Sequence, residues 1–212
     1  WKDVIMSHYF TDNRNLPQNR KEIPFRFSGI SYNLITDNGV FSKTEVDFGT
    51  WVLLDTLKDE PISGRLLDVG CGYGVIGIVL GSLFKTVTMG VDVNPRALEL
   101  AEENSKLNKV EANFKLSNCL DDVEGNLDVI VTNPPIRAGK KIVHQIFEQS
   151  YEHLDLKWCL YVVIRKQQGA ESAIKKIREV FKNCEVIRKE KGYWILKAQK
   201  IDWLISWWYH YI

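Results

Sequence analysis

A chain of 212 residues, 45% of them hydrophobic, can bury a core and suits one domain of ordinary size. Its formal net charge of +1, with 26% charged residues, excludes a general polycation, so any nucleic-acid surface has to be a local patch. The four cysteines are scattered with no CxxC pair, and no apolar run is long enough to span a bilayer. This excludes a disulfide scaffold, argues against zinc or any other metal site, and makes a reducing, cytoplasmic compartment the expectation.

In chain order, the first part up to about Asn38 is polar and punctuated by Asn, Pro and Gly. Within it, "FRFSGISYNLIT" alternates on both sides of Ser28-Gly29 and predicts a β-hairpin. Val46, Trp51 (or Thr50), Leu53, Leu54 and Leu57 then share one helical face, which predicts a helix from about Val46 to Leu57. From Gly64 the pattern is regular. "RLLDVG" is strand-like, "YGVIGIVLGSLF" helical, "TVTMGVDV" strand-like, and "NPRALELAEENSKLN" a helix with Asn94 as N-cap and Pro95 in its first position. "ANFKLSN" and "LDVIVTN" are strands, "KKIVHQIFEQSYEHL" a helix, "WCLYVVIR" a strand and "GAESAIKKIREVF" a helix. "CEVIRKE" and "YWILKAQ" close the pattern as a hairpin around Gly192.

This alternation predicts an α/β fold: a doubly wound, mostly parallel, seven-stranded Rossmann-like sheet with an antiparallel last strand. Residues 1–197 are expected to form one domain, with 1–45 as an N-terminal hairpin extension and 46–197 as the core. Residues 198–212, in which "IDWLISWWYHYI" carries three of the seven tryptophans, read as an atypical tail. Basic residues that could form a patch are Arg14, Arg20, Lys21 and Arg26, then Arg137, Lys140 and Lys141, then Arg165 with Lys166; each is equally at home on an ordinary solvated surface.

The stretch "LLDVGCGYGVIG" places Asp68, Gly70, Gly72 and Gly74 between a strand and a helix. Such a glycine loop lets a ligand approach the backbone, and several nucleotide cofactors use it. Asp68 would repel a pyrophosphate but can accept a hydrogen bond from a cationic amino group. Asp92 ends the next strand, where its carboxylate suits the two ribose hydroxyls. The acid in the loop favours S-adenosylmethionine over NAD. Asn118 ends the third strand, either as an acceptor for an adenine amino group or as part of a surface turn.

The segment "TNPPIRAGKK" is a strand-ending turn, a reaction site, or both. Asn133 is pushed to an extended conformation by Pro134, and neither Pro134 nor Pro135 has an N–H to bond into a sheet. The Asn133 side chain and the Pro134 carbonyl can then hold the two hydrogens of a substrate amine. This positions a weakly nucleophilic exocyclic amine for attack on a methyl group.

With these residues in view, the sequence resembles the class I S-adenosylmethionine-dependent methyltransferases. More closely it resembles the RsmC-type small-subunit (16S) ribosomal RNA guanine-N2 methyltransferases in a short, single-domain form. "GVFS", "VDFGT", "LLDVGCGYGVIGI", "VDVNPRALELAEEN" and "TNPPIRAGKK" carry the resemblance. It implies cofactor contacts from Asp68, Gly70, Gly72, Gly74 and Asp92, with Asn118 near the adenine, and target-amine contacts from Asn133 and Pro134. Pro135, Ile136, Arg137, Lys140, Lys141 and Phe41 would face the RNA, and Thr50 would line the pocket. Ribosomal RNA or the small ribosomal subunit is the implied partner. Ile136 stands where many Asn-Pro-Pro enzymes carry the aromatic that stacks on the base, and Asn118 replaces a usual acid. The competing readings are a protein glutamine N5-methyltransferase and a non-catalytic nucleotide-binding module of the same architecture.

Overall fold

The computed structural model describes residues 17–40 and 44–202; Arg14, Phe41 and the tail from residue 203 onward lie outside the described residues. The hairpin consists of β1 (Lys21–Phe27) and β2 (Ile30–Thr36), joined at Ser28-Gly29. Both turn residues have positive φ, 47° and 80°, which twists the turn in the sense that matches paired strands.

The main sheet contains β3 (Arg65–Val69), β4 (Val87–Asp92), β5 (Ala112–Leu116), β6 (Leu127–Thr132), β7 (Leu154–Arg165), β8 (Glu185–Glu190) and β9 (Tyr193–Gln199). Their spatial order is β5-β4-β3-β6-β7-β9-β8, and β9 alone runs opposite to the other six. The helices are α1 (Phe48–Leu57), α2 (Val75–Phe84), α3 (Pro95–Leu107), α4 (Lys140–His153) and α5 (Ala170–Phe181).

Central strands are apolar on both faces because helices cover both. In β7, Cys159, Tyr161 and Val163 pack into the core shared with α1, α2 and α3, whereas Leu160, Val162 and Ile164 pack into the core shared with α4 and α5. This two-sided burial explains the continuous apolar runs in the sequence. α1 begins at Phe48, two residues later than expected, because the Asp47 carboxylate caps it by accepting the Thr50 N–H at 3.1 Å. Asn94 caps α3 in the same way, accepting the Arg96 N–H at 3.1 Å with Pro95 in the first turn.

The chain runs outward through β3, β4 and β5, then returns to place β6 on the other side of β3. The carboxyl ends of β3 and β6 thus flank the point where strand order reverses, where loops diverge and a cleft opens.

Candidate active site

That cleft measures about 1070 Å³. Its walls come from the glycine loop, the ends of β4, β5 and β6, the segment after β2, the start of α1, and the β7 and β9 ends. Gly70, Gly72, Asp92, Asn118, Asn133, Pro134, Pro135, Ile136 and Arg137 all line it, so residues far apart in the sequence meet as expected.

The loop is drawn against β4 by its own backbone. Gly70 N–H and Cys71 N–H donate to the Val91 carbonyl at 2.8 and 3.0 Å, and Gly72 N–H donates to Asp92 Oδ2 at 2.9 Å. Asp92 Oδ1 accepts the Asn94 N–H at 2.9 Å. Each carboxylate oxygen keeps acceptor capacity beyond these bonds, which fits a pair of ribose hydroxyls. Burial raises the Asp92 pKa, opposed by those backbone donors.

The glycines divide the work. Gly74 (φ 91°) lies against α3, where a Cβ would come within 3.1 Å of Ala101 Cβ, so it serves close packing. At Gly72 (φ 54°) a Cβ would meet nothing within 4 Å, so the backbone there is bare toward the cleft and a cofactor can reach it. These features fit S-adenosylmethionine.

Asp68 departs from expectation. Its side chain is fully buried behind the loop and does not line the cleft. Oδ2 accepts the Gly77 N–H at 3.1 Å, which ties β3 to the start of α2, while Oδ1 has no hydrogen-bond partner among the described residues. Burial, with Asp92 adding and the Gly77 N–H opposing, pushes its pKa up to about 7. Asp68 therefore braces the loop from behind, by tying β3 to the start of α2. Asn118 donates its amide N–H to Asp121 Oδ2 at 3.0 Å, which leaves Oδ1 to accept.

The N-terminal hairpin is less an extension than a wall of this site. Asn104 on α3 and Asn108, one turn on at its C-cap, present their side-chain amides to β2 like a neighbouring strand. Asn104 accepts the Ile35 N–H at 2.6 Å and donates to the Ile35 carbonyl at 2.9 Å; Asn108 does the same for Asn33 at 3.0 and 2.8 Å. Asn104 also donates to the Tyr73 carbonyl of the glycine loop at 2.9 Å. Beyond β2, Asp37 meets Arg96 in a buried ion pair at 3.0 Å, and Asn94 donates to the Gly39 carbonyl at 2.9 Å. Asn38, Gly39 and Val40 thereby line the cleft near Asp92.

At the other end, β6 stops at Thr132 and Asn133 enters the cleft. Asn133 Nδ2 donates to Asp47 Oδ2 at 3.3 Å and to Thr50 Oγ1 at 3.2 Å. A carboxylate can only accept, so the amide nitrogen must face Asp47 and Oδ1 is the acceptor left for the cleft. The Pro134 carbonyl accepts the Ile136 N–H at 2.8 Å, in a tight turn centred on Pro135 (φ −73°, ψ 76°). It retains its second lone pair.

The basic residues separate. Arg137 lines the cleft, Lys140 borders a smaller adjoining hollow, and Lys141 is exposed on the first turn of α4. Arg20, expected to extend a basic track, instead pairs with Glu103 on α3 at 2.9 Å. Asp47, Gln168 and Tyr193 also line the cleft and were not singled out as site residues, and Arg165, expected only as part of a basic patch, lines it too. Only the "VDFGT" stretch carried a signal for Asp47.

A family model described as the methyltransferase small domain matches residues 31–197. The chain belongs to that family. The resemblance to RsmC-like class I S-adenosylmethionine-dependent methyltransferases holds, and so does the cofactor. The chain is 45% identical over 204 residues to the uncharacterized protein YbxB of Bacillus subtilis, covering 93% of this chain and 100% of that one. It is 32% identical over 191 residues to the ribosomal RNA small subunit methyltransferase C of Colwellia psychrerythraea, covering 89% of this chain but 53% of that one. The chain thus spans about half the length of that relative. The structure of the T. thermophilus 16S rRNA N2 methyltransferase RsmC, in complex with AdoMet and guanosine, aligns with a TM-score of 0.80 at 22% identity. That alignment covers 90% of this chain and 53% of the other, and at this identity it establishes the shared fold. No helix among the described residues is long and apolar enough to cross a membrane.

Proposed function

We propose that this methyltransferase modifies the exocyclic N2 amine of a guanine in small-subunit ribosomal RNA. The observation that carries the reading is the orientation of Asn133, whose amide nitrogen is held by Asp47 and Thr50 so that Oδ1 is left as an acceptor in the cleft.

When bound, S-adenosylmethionine supplies an electrophilic methyl group. Asp92 would hold the ribose, Gly70 and Gly72 the neighbouring backbone-facing atoms, and Asn118 the adenine. Asn133 Oδ1 and the Pro134 carbonyl would each accept one hydrogen of the target amine. Two acceptors fix the rotation of the amine and favour its more tetrahedral form, so that the nitrogen lone pair is directed instead of delocalised. The amine gives up a proton after transfer, so no strong base is needed beside Asn133. Arg137, Lys140 and Lys141 would meet backbone phosphates, and Pro135, Ile136 and Phe41 would border the base.

Tritium transfer from labelled S-adenosylmethionine to ribosomal subunits and to extracted ribosomal RNA, followed by nucleoside analysis, tests this. N2-methylguanosine is the expected product. Label on a protein glutamine, or on adenine, would overturn the reading.

A further inference from the structure

The turn after Asn133 carries Ile136, which offers no ring to stack on a base. The cleft nevertheless contains a planar group elsewhere. Arg165 ends β7, Tyr193 begins β9, and the two are directly paired across the antiparallel ladder. The Arg165 guanidinium carbon lies over the Tyr193 ring, 4.9 Å from its centroid. Both residues line the cleft with Asn133 and Pro134. Their placement follows from the sheet: Thr132 pairs with Val162 in the parallel β6–β7 ladder, so Asn133 and Arg165 leave the carboxyl ends of adjacent strands.

The ring beneath Arg165 is held firmly. Phe48 meets Tyr193 edge-on, with centroids 5.8 Å apart and planes at 63°. At Gly49, a Cβ would fall 2.5 Å from Tyr193 Cε1, so only glycine lets α1 approach the ring this closely. Arg165 itself is exposed, and among the described residues no carboxylate lies within ion-pair distance of it. A guanidinium with no carboxylate partner among the described residues, steadied on an aromatic face beside the amine-holding acceptors, is a planar group available to the cleft. Splayed-out RNA bases stack on arginine planes as well as on aromatic rings.

We infer that Arg165, supported on Tyr193, is the platform against which the target base stacks, in place of the aromatic absent at Ile136. This rests on the reading of the substrate as an RNA guanine. Arg165 is then a substrate-binding residue and Tyr193 a positioning residue that keeps the guanidinium flat toward the cleft. Lys191 lies over the Phe48 ring at 4.9 Å and continues positive charge past the platform, where the chain flanking the base would pass.

The test compares Arg165→Lys and Arg165→Ala with the unaltered protein. Steady-state methylation of an RNA substrate is followed over a range of salt, and S-adenosylmethionine affinity is measured by calorimetry as a control for folding. Lysine keeps the charge and loses the plane. A platform predicts that both variants raise the KM for RNA by about 5- to 100-fold, the range expected for losing one stacked base. Cofactor affinity stays unchanged, and the salt dependence of Arg165→Lys matches that of the unaltered protein. If Arg165→Lys keeps the KM within about twofold while only Arg165→Ala weakens binding and flattens the salt dependence, Arg165 is a phosphate contact and the platform is refuted. If the unaltered protein methylates no guanine in RNA, the substrate reading itself fails and the platform falls with it.

Discussion

Asp47 and Asn133 are separated by 86 residues in the chain, yet the Asp47 carboxylate accepts the Asn133 amide N–H at 3.3 Å in the wall of the cleft. The same carboxylate caps α1 through the Thr50 N–H, and its charge is felt by the Tyr193 hydroxyl, whose pKa is raised by burial and then by Asp47. One acid thus ties Asn133, the residue proposed to hold the amine, to the helix that carries Thr50 and to the ring beneath Arg165. Its geometry turns a strand-ending Asn-Pro-Pro turn into a fixed acceptor.

Asn133→Ala is expected to keep S-adenosylmethionine affinity and to lower kcat on the order of a hundredfold or more, as for removal of a preorganised polar group at a reacting centre. Equal loss of both quantities, read by calorimetry and single-turnover assays, would show the residue to be structural.

Asp47→Asn separates capping from aiming. Asparagine caps a helix about as well as aspartate, so thermal stability should hold. Its amide can also donate, so Asn133 is no longer forced to present Oδ1, and turnover should fall on the order of a hundredfold. Combined with Asn133→Ala it should cost little beyond Asn133→Ala alone, because both act on one interaction. Additive losses in that cycle would separate the two roles.

Asp68 predicts a pH dependence. Its pKa in the fold, about 7, lies above the ordinary 3.8, so the folded state binds the proton more tightly than the unfolded chain. Stability of the cofactor-free protein should therefore decline as pH rises from about 4 through 7. The cationic cofactor favours the ionised form, so its affinity should rise across the same upper range. Asp68→Asn should flatten both curves. Denaturant melts and calorimetry at pH 6 and 8 provide the comparison; a variant that titrates like the unaltered protein would assign the effect to another group.

Much of this arrangement was legible in the residues. Periodicity predicts the strand and helix order, and an acid after the second strand of the sheet together with Asn-Pro-Pro after the fourth points to the ends of β4 and β6. What depends on the third dimension was not. Asp47, Arg165 and Tyr193 meet only because β7 and β9 pair and α1 packs across them, and nothing local to any of the three signals that. The burial of Asp68 was not legible for a similar reason: its place at a strand end is readable, but which way the loop turns around it is not. The hairpin read as an extension because part of its attachment runs through Asn104 and Asn108, which in the sequence are ordinary polar positions in and just after a helix.

The proposed phosphate contacts make a salt prediction. If Lys140 and Lys141 each neutralise one phosphate of a single-stranded segment, replacing both by alanine should reduce the slope of log affinity against log salt by about 1.4, at about 0.7 per contact. Cofactor affinity should not change, since neither lysine lines the main cleft. An unaltered slope in filter-binding titrations would remove them from the RNA surface.

The Asp37–Arg96 pair predicts that cofactor binding and hairpin docking rise and fall together. The two side chains are 2% and 9% exposed, and Asp37 Oδ1 also accepts the Asn19 and Asn38 N–H groups at 2.6 and 2.7 Å. Asp37→Ala would take the carboxylate away from the buried Arg96 guanidinium and release the backbone leading into Asn38, Gly39 and Val40. Breaking one side of a buried pair costs about 3–5 kcal/mol, whereas replacing both sides by apolar residues of similar size is often close to neutral. Asp37→Ala should therefore lower the denaturation midpoint sharply and weaken S-adenosylmethionine binding, because those three residues line the cleft beside Asp92. Asp37→Leu with Arg96→Met should recover most of the stability but less of the affinity, since the apolar pair packs the joint without holding the Asn38 backbone. Full recovery of affinity in the double variant would show that the hairpin needs only to be packed, not hydrogen-bonded, to form the wall.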